Sequence, residues 1–210
     1  MKSTDRIIAG HLLQIKAIKL EPAKPFLWAS GWKSPIYCDN RLILSYPEIR
    51  RLIAGAFCGL INDSWPEVTM ISGVATGAIA HGMLVAERMD MPFSYVRSAP
   101  KAHGTAGMIE GRVAAGDRVV VIEDLVSTGR SSLAAVEALR AAGCEILGMA
   151  AIFTYGFDIA ASSFLESSCE LKTLTNYNSL IETAREMGLI EPEYLETLNE
   201  WRQDPAGWRT

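Results

Sequence analysis

Two acidic side chains stand between an apolar run and a hydroxyl-rich loop near the middle of the chain. Residues 119–122 are all β-branched, which is typical of a strand whose sheet is covered on both faces. Glu123 and Asp124 follow at once, and residues 127–131 read Ser-Thr-Gly-Arg-Ser. Carboxylates accept hydrogen bonds from vicinal hydroxyls, whereas hydroxyls and loop N–H groups donate to a phosphate. This stretch could therefore bind a phosphorylated sugar.

The elements around these residues would bring them together at one site. Apolar side chains recur at helical spacing in residues 131–139, so a helix is expected directly after the loop. Open α/β sheets bind ligands at the carboxyl ends of parallel strands, and a helix N-terminus offers unpaired N–H groups and partial positive charge to a phosphate. An acidic turn or a Ser-Thr-Gly turn alone is common, but the whole order in residues 119–132 favours a binding site.

The order of residues 119–132 resembles the phosphoribosyl diphosphate (PRPP) binding motif of the type I phosphoribosyltransferases. The resemblance implies that Glu123 and Asp124 hold the ribose hydroxyls and that the loop after them surrounds the 5′-phosphate. The PRPP-binding residues that it implies in this stretch are Glu123, Asp124, Leu125, Val126, Ser127, Thr128, Gly129, Arg130 and Ser131.

A second candidate loop consists of small residues. Residues 72–77 read Ser-Gly-Val-Ala-Thr-Gly between a predicted strand at 68–71 and a predicted helix at 78–89, and such a strand-to-helix turn suits an anion. The loop resembles the pyrophosphate loop of the same family, which implies contacts from Ala75, Thr76 and Gly77 to the diphosphate.

Residues 26–41 resemble one branch of that family, the orotate phosphoribosyltransferases. In this branch a Phe…Ser-Gly…Ser-Pro hairpin covers the base, and the same pattern occurs here. By position, the resemblance implies that Ile36 and Tyr37 flank the orotate ring, with Ser127 also near the base.

Residues 98–107 contain almost no apolar anchor, so we expect an exposed, mobile loop. Arg97, Lys101 and His103 form a cationic patch that could close over an anionic ligand as a flexible lid. The segment resembles the catalytic loop of the orotate branch, which reaches into the site of the neighbouring subunit. The resemblance thus implies a homodimer with a shared lid, and a catalytic set of Lys101, Arg97, His103 and Asp124.

The chain departs from the family's pattern in its cationic residues. Many relatives have lysines where this chain has Ala29 and Ser98, and another in the loop that ends here at Gly77. They also have an arginine just after the strand that ends near Phe153, where it grips the orotate carboxylate. Tyr155 or a backbone N–H is the candidate substitute for that arginine.

Strands and helices alternate between residues 47 and 175, which predicts an α/β fold with a mostly parallel central sheet flanked by helices. Residues 17–41 are expected to form a small N-terminal hood over the carboxyl edge of the sheet. Two helices are expected within residues 178–203, and the whole chain, 1–210, is expected to be one domain. Ser45 is the candidate cap of a helix that begins near Pro47.

The composition excludes several classes of protein. A net charge of −4 argues against nucleic acid as a partner. The cysteines at 38, 58, 144 and 169 form no Cys-x-x-Cys pair, which favours free thiols in a reducing cytoplasm. The sequence shows neither a secretory signal nor a membrane span. A cytoplasmic protein without membrane or nucleic-acid partners is therefore expected.

The resemblance implies transfer of the phosphoribosyl group from PRPP to orotate, which yields orotidine 5′-monophosphate and pyrophosphate in pyrimidine synthesis. Mg²⁺ is the implied cofactor, held mainly by PRPP and water, so no dedicated protein metal site is expected. Two alternatives stay open. One is the same fold acting on a purine or uracil, and the other is a regulator that binds PRPP without catalysing transfer.

Overall fold

The computed structural model describes residues 3–28, 30–99 and 107–209. The α-helices are α1 (Thr4–Gln14), α2 (Pro47–Ser64), α3 (Gly77–Met89), α4 (Arg130–Ala141), α5 (Asp158–Glu166), α6 (Tyr177–Glu186) and α7 (Tyr194–Gln203). The strands are β1 (Ile18–Leu20), β2 (Phe26–Leu27), β3 (Lys33–Ser34), β4 (Ile36–Cys38), β5 (Met70–Val74), β6 (Phe93–Val96), β7 (Ile109–Glu110), β8 (Arg118–Val126), β9 (Glu145–Thr154) and β10 (Leu171–Asn176). A 3₁₀ helix covers Asn40–Ser45.

The central sheet has the strand order β10-β9-β8-β5-β6-β7. All neighbouring strands in it are parallel except β6 and β7. Alternate residues of β8 point to opposite faces: Val120 and Ile122 pack with α2, α3 and the N- and C-terminal helices, whereas Val119 and Val121 pack with α4 and α5. The predicted α/β fold with a mostly parallel, helix-flanked sheet is confirmed.

Strand β8 continues past the point predicted from sequence. The apolar run suggested that it ends at Ile122, before the acidic pair Glu123 and Asp124, but the strand extends to Val126. Pairing with β5 does end at Ile122, opposite Gly73, while pairing with β9 continues to Val126, opposite Thr154. The acidic pair therefore lies at a step in the sheet, where β8 is paired with β9 on one side and has no paired strand on the side of β5.

Two other boundaries differ from the sequence-based expectation. Residues 72–74 belong to β5 rather than to a loop, and all are buried. A Cβ on Gly73 would lie 2.8 Å from the carbonyl oxygen of Ala78, so the glycine lets α3 pack back onto its own strand. Tyr46, not Ser45, is the N-cap of α2, because the 3₁₀ helix extends through Ser45.

Residues 17–41, the hood, form two small antiparallel sheets. Strand β1 pairs with β4, and β2 pairs with β3. The predicted turn at 30–35 is displaced, because residues 33–34 form β3 and the Trp28 N–H donates to the Trp32 carbonyl at 2.9 Å. Indole Nε1 of Trp28 donates to the carbonyl of Ile36 at 3.0 Å, which ties the first strand of the hairpin to β4.

Part of the predicted lid lies outside the described residues, as do Lys101, His103 and Ala29. The described ends of the lid segment are close together, because the Arg97 N–H donates to the carbonyl of Met108 at 2.8 Å. In the described ranges, the helices include none with the length and apolar character required to span a membrane.

Gly148→Ala should destabilise the fold. A Cβ at this position of β9 would lie 2.3 Å from the ring of Trp65, which is buried and donates from Nε1 to Glu170 Oε2 at 3.0 Å. Forcing the indole to move should lower the free energy of unfolding by about 1–3 kcal/mol, as overpacking does. Urea unfolding would measure the change.

Gly59→Ala is the matched control for that substitution. Gly59 lies within α2, and a Cβ added there would meet open space, so the added methyl should stabilise the helix by about 0.5–1 kcal/mol. Equal effects of the two substitutions would contradict the role assigned to the contact between Gly148 and Trp65.

Candidate active site

The two carboxylates of the acidic pair face different helices. Glu123 is buried; its Oε1 accepts from the Asp124 N–H at 3.0 Å and its Oε2 accepts from the Ser132 hydroxyl of α4 at 2.8 Å. The carboxylate of Asp124 instead lies against the first residue of α3, so closely that a Cβ on Gly77 would overlap it. The pair thus joins the starts of two helices across the step in the sheet.

Burial changes the pKa of Glu123. Loss of solvent raises its pKa well above the ordinary value, and the neighbouring charge of Asp124 raises it further. The hydrogen bond from Ser132 opposes this shift without cancelling it. Folding therefore shifts Glu123 toward its neutral form relative to a glutamate exposed to water.

A cavity of about 310 Å³, the polar cavity, opens at this step. It brings together three segments that are far apart in sequence: the hood end, the loop before α3, and the acidic pair with the start of α4. Its lining residues are Cys38, Asp39, Arg41, Val74, Ala75, Thr76, Gly77, Glu123, Asp124, Leu125 and Ser131. The two loops that the sequence singled out as anion sites thus border the same cavity.

Two helix N-termini border the polar cavity. Neither α3 nor α4 has a side-chain hydrogen bond at its N-cap, so first-turn N–H groups remain for an anionic ligand. Gly129 caps α4 with a φ of 82°, and a Cβ there would lie 2.9 Å from the ring of Phe164. Both the conformation and the space therefore require glycine at this position.

A second cavity, of about 230 Å³, adjoins the first; three of its seven lining residues are aromatic, and we call it the aromatic cavity. Its lining residues are Leu27, Trp28, Tyr37, Cys38, Leu125, Ser127 and Tyr155. Cys38 and Leu125 line both cavities. A flat ring in this aromatic cavity would therefore lie next to a ligand in the polar cavity.

The other site residues predicted from the sequence lie in the aromatic cavity, in the core or in the turn that enters α4. Ser127 and Tyr37 line the aromatic cavity, whereas Ile36 is fully buried in the hydrophobic core. Val126 is also buried, and its carbonyl accepts from the Thr154 hydroxyl at 3.1 Å. Thr128 and Arg130 flank Gly129 in the turn that enters α4 and line neither cavity.

The cationic residues predicted for the lid are represented only by Arg97. One guanidinium nitrogen of Arg97 lies 3.7 Å from a carboxylate oxygen of Glu110 on β7. No residue that lines the aromatic cavity in the described chain carries a positive charge. Tyr155 is the candidate polar group there; burial raises its pKa well above the ordinary value, so its hydroxyl stays neutral and able to donate.

The sequence reasoning missed two buried residues behind the acidic pair. Asn40 is 1% exposed and donates from Nδ2 to the carbonyl of Asp124 at 2.5 Å. His81 follows Gly77 by one turn of α3, and burial lowers its pKa although the charge of Asp124 acts in the opposite direction. The available sequence signal for Asn40 was its position close to the aromatic residues of the hood. For His81 it was the position one turn after Gly77.

The described residues include no group of three or more His, Cys, Asp or Glu side chains that could hold a metal ion. Asp39, Glu123 and Asp124 line the polar cavity, but the Asp39 carboxylate is bonded to the guanidinium of Arg41 and both carboxylate oxygens of Glu123 accept hydrogen bonds within the protein. Hard cations such as Mg²⁺ prefer oxygen ligands and keep several of their waters. Asp124 is the carboxylate that fits a cation held mainly by a phosphorylated ligand and water.

Glu123→Gln should make the protein more stable at neutral pH. A raised folded-state pKa means that the stability associated with this carboxyl is complete below its ordinary value of 4.5 and is lost as the pH rises through the folded-state pKa. Glutamine keeps the shape and does not titrate. Its advantage over wild type in urea unfolding should therefore be largest at neutral pH and shrink toward pH 4.5.

Glu137→Gln, at an exposed position of α4 beside Arg140, is the control and should show no such trend. An advantage of Glu123→Gln that grows as the pH falls would contradict the assignment.

Comparisons with known proteins agree with this geometry. Residues 41–184 match the model of the phosphoribosyl transferase domain. The chain is 54% identical over 210 residues to orotate phosphoribosyltransferase of Bacteroides fragilis. The alignment covers 100% of this chain and 99% of that protein. The fold is similar to orotate phosphoribosyltransferase of Aeropyrum pernix, with a TM-score of 0.75, 25% identity, and coverage of 88% of this chain and 99% of that one.

A further solved structure, UMP synthase of Leishmania donovani, has a TM-score of 0.77 and 27% identity and covers 95% of this chain. The chain spans 43% of the length of that protein. The domain match and the identity over the whole length show that the chain belongs to the orotate phosphoribosyltransferase family.

Proposed function

We propose that the protein transfers the phosphoribosyl group of PRPP to orotate, forming orotidine 5′-monophosphate and pyrophosphate. The observation that carries this proposal is the junction of the two cavities at Cys38 and Leu125. A ribose on the acidic pair would place its anomeric carbon toward this junction, and a base in the aromatic cavity would approach from the other side. The relatives at 54% identity support the same acceptor.

The polar cavity would hold PRPP through groups of opposite character. Glu123 and Asp124 would accept from the ribose hydroxyls, since both residues line the cavity. The 5′-phosphate would take N–H and hydroxyl donors from the turn into α4. The diphosphate would lie on the loop before α3. The proposed contacts in these two loops are Leu125, Val126, Ser127, Thr128, Gly129, Arg130 and Ser131, and Ala75, Thr76 and Gly77.

The aromatic cavity would hold the base. Tyr37 and Ser127 line it as proposed orotate contacts, and Trp28 and Tyr155 add aromatic walls. Ile36 would contribute through its backbone carbonyl, which accepts from Trp28 Nε1 at 3.0 Å and from the Ser34 hydroxyl at 2.8 Å. These bonds would hold Trp28 in place beside the base. The neutral hydroxyl of Tyr155 is the proposed donor to the orotate carboxylate.

The transfer breaks the bond from the anomeric carbon to the diphosphate and forms a bond to a ring nitrogen of the base. The electron pair of the broken bond leaves with pyrophosphate, and the proton displaced from the ring nitrogen passes to pyrophosphate or water. Lys101, Arg97 and His103 would neutralise the charge that grows on this leaving group, which is the kind of preorganised electrostatic help that can dominate catalysis. Asp124 would fix the ribose, and its negative charge favours positive charge on the reacting sugar.

Mg²⁺ would be held mainly by PRPP oxygens and water, with Asp124 as the nearest fitting carboxylate, and would supply neutralising charge for the diphosphate. We further propose that the lid of each subunit completes the site of a partner copy in a homodimer.

The first test is a product assay with purified protein, PRPP and Mg²⁺. Orotate, uracil, adenine, guanine, hypoxanthine and xanthine would be supplied separately, and the nucleotide formed would be identified by mass. Orotidine 5′-monophosphate from orotate alone is expected. Product from a purine would overturn the acceptor, and PRPP binding without product from any base would favour a regulator.

Lys101→Ala should lower turnover far more than it weakens substrate binding. Loss of one preorganised cation at the leaving group should reduce kcat by about 10²–10³-fold. Steady-state kinetics with each substrate would measure this. An unchanged kcat with a raised KM would instead assign Lys101 to binding alone.

Mixing two inactive variants would test the shared lid. If the lid crosses between subunits, a heterodimer of Lys101→Ala and Asp124→Asn has one site with both groups intact. Random pairing of equal amounts should restore about a quarter of wild-type activity, because about half of the dimers then have one active site. No restoration after confirmed subunit exchange would show that each lid serves its own subunit.

A further inference from the structure

The segment from Tyr194 to Arg209, the C-terminal segment, lies outside the matched domain and packs behind the aromatic cavity. Trp201 of α7 is fully buried. Its ring contacts Trp28 edge-on at a centroid distance of 5.7 Å and Tyr155 edge-on at 5.6 Å. Both rings line the cavity and contact each other at a centroid distance of 5.2 Å, one from the hood and one from the residue after β9.

Arg202 holds the turn that carries Tyr155. Its Nε donates to the carbonyl of Tyr155 and its Nη2 to the carbonyl of Gly156, both at 3.1 Å. The guanidinium also lies 5.7 Å from the ring centre of Tyr177, whose hydroxyl donates to the carbonyl of Leu198 at 2.8 Å. The planar fork of an arginine suits two successive carbonyls, which a lysine cannot bridge in the same way.

The end of the same segment is bonded to the hood. Nζ of Lys33 donates to the carbonyl of Arg209 at 2.6 Å, and Nη1 of Arg209 donates to the carbonyl of Pro22 at 3.1 Å. The guanidinium of Arg209 lies 4.5 Å from the ring centre of Trp208. The C-terminal segment therefore bonds to both structures that enclose the aromatic cavity.

None of these contacts reaches the polar cavity. The rings and carbonyls that Trp201 and Arg202 contact belong to Trp28, Tyr155, Gly156, Phe157 and Tyr177. Residues that line the polar cavity are absent from this set. Loosening the C-terminal segment should thus affect the base and leave the phosphorylated sugar in place.

We propose that the C-terminal segment positions the walls of the base site, with Arg202 and Trp201 as positioning residues that set the affinity for the acceptor base. The proposal rests on the proposed function, because it takes the aromatic cavity as the base site. Neither Arg202 nor Trp201 lines the aromatic cavity, so both would act on the base through the residues that they contact. They fix Tyr155 and Trp28 before binding, which spares the cost of ordering that wall when the base enters.

The test compares Arg202→Ala with Arg140→Ala. Arg140 also donates to two successive carbonyls, those of Ser167 and Ser168 at 2.8 and 3.1 Å, but it does so at the end of α5. Arg202→Ala should raise the KM for orotate about tenfold and change the KM for PRPP by less than about twofold. Arg140→Ala should leave both KM values unchanged, whatever its effect on thermal stability.

Two milder variants keep the proposal testable if Arg202→Ala does not fold. Arg202→Lys keeps the charge and one hydrogen bond, so its orotate KM should lie between those of wild type and the alanine variant. Trp201→Phe should likewise raise the KM for orotate selectively. Calorimetric titration with orotidine 5′-monophosphate should show weaker binding in both variants.

An unchanged orotate KM in these variants, or equal increases for orotate and PRPP, would overturn the proposal. Failure of the wild-type protein to form product from orotate would overturn the proposed function instead. The wild-type assay therefore separates the two failures.

Discussion

The stagger between β5 and β8 is the constraint on which the site depends. Strand β5 stops pairing with β8 at Gly73, while β8 continues along β9 through Val126. Parallel strands place their carboxyl ends at one edge, and a step at that edge leaves a crevice for a ligand. Because the acidic pair is part of the longer strand, its backbone is held by β9 and its side chains are free to face α3 and α4.

Close packing around the step requires glycine at two positions. Gly73 allows α3 to pack on β5, and Gly77 leaves room for the carboxylate of Asp124. The Asp124 carbonyl accepts from Asn40 in the segment that leaves the hood. The acidic pair is thereby tied to the sheet, to one helix and to the hood. A carboxyl as buried as that of Glu123 costs stability when it ionises, which is the kind of local cost found at functional sites.

The two cavities differ in where their walls come from. The polar cavity is built largely within the matched domain, from the loop before α3, the acidic pair and the turn into α4. The aromatic cavity takes Leu27, Trp28, Tyr37 and Cys38 from the hood, and its walls are supported by the C-terminal segment. The elements that would bind the sugar phosphate thus lie mostly inside the matched domain, residues 41–184, whereas most of those that would bind the base lie before residue 41.

The sequence by itself determined the fold class, the order of the elements and the two loops that border the polar cavity. Those features follow from local periodicity and short motifs, so the buried run before Glu123 and the small residues before Gly77 were sufficient. It did not determine where β8 ends, because that depends on which neighbour continues to pair. Nor did it reveal Cys38, Asn40 and His81, whose roles arise from contacts between distant segments. Only the tertiary structure placed Arg202 behind Tyr155, since no local pattern links two residues so far apart in sequence.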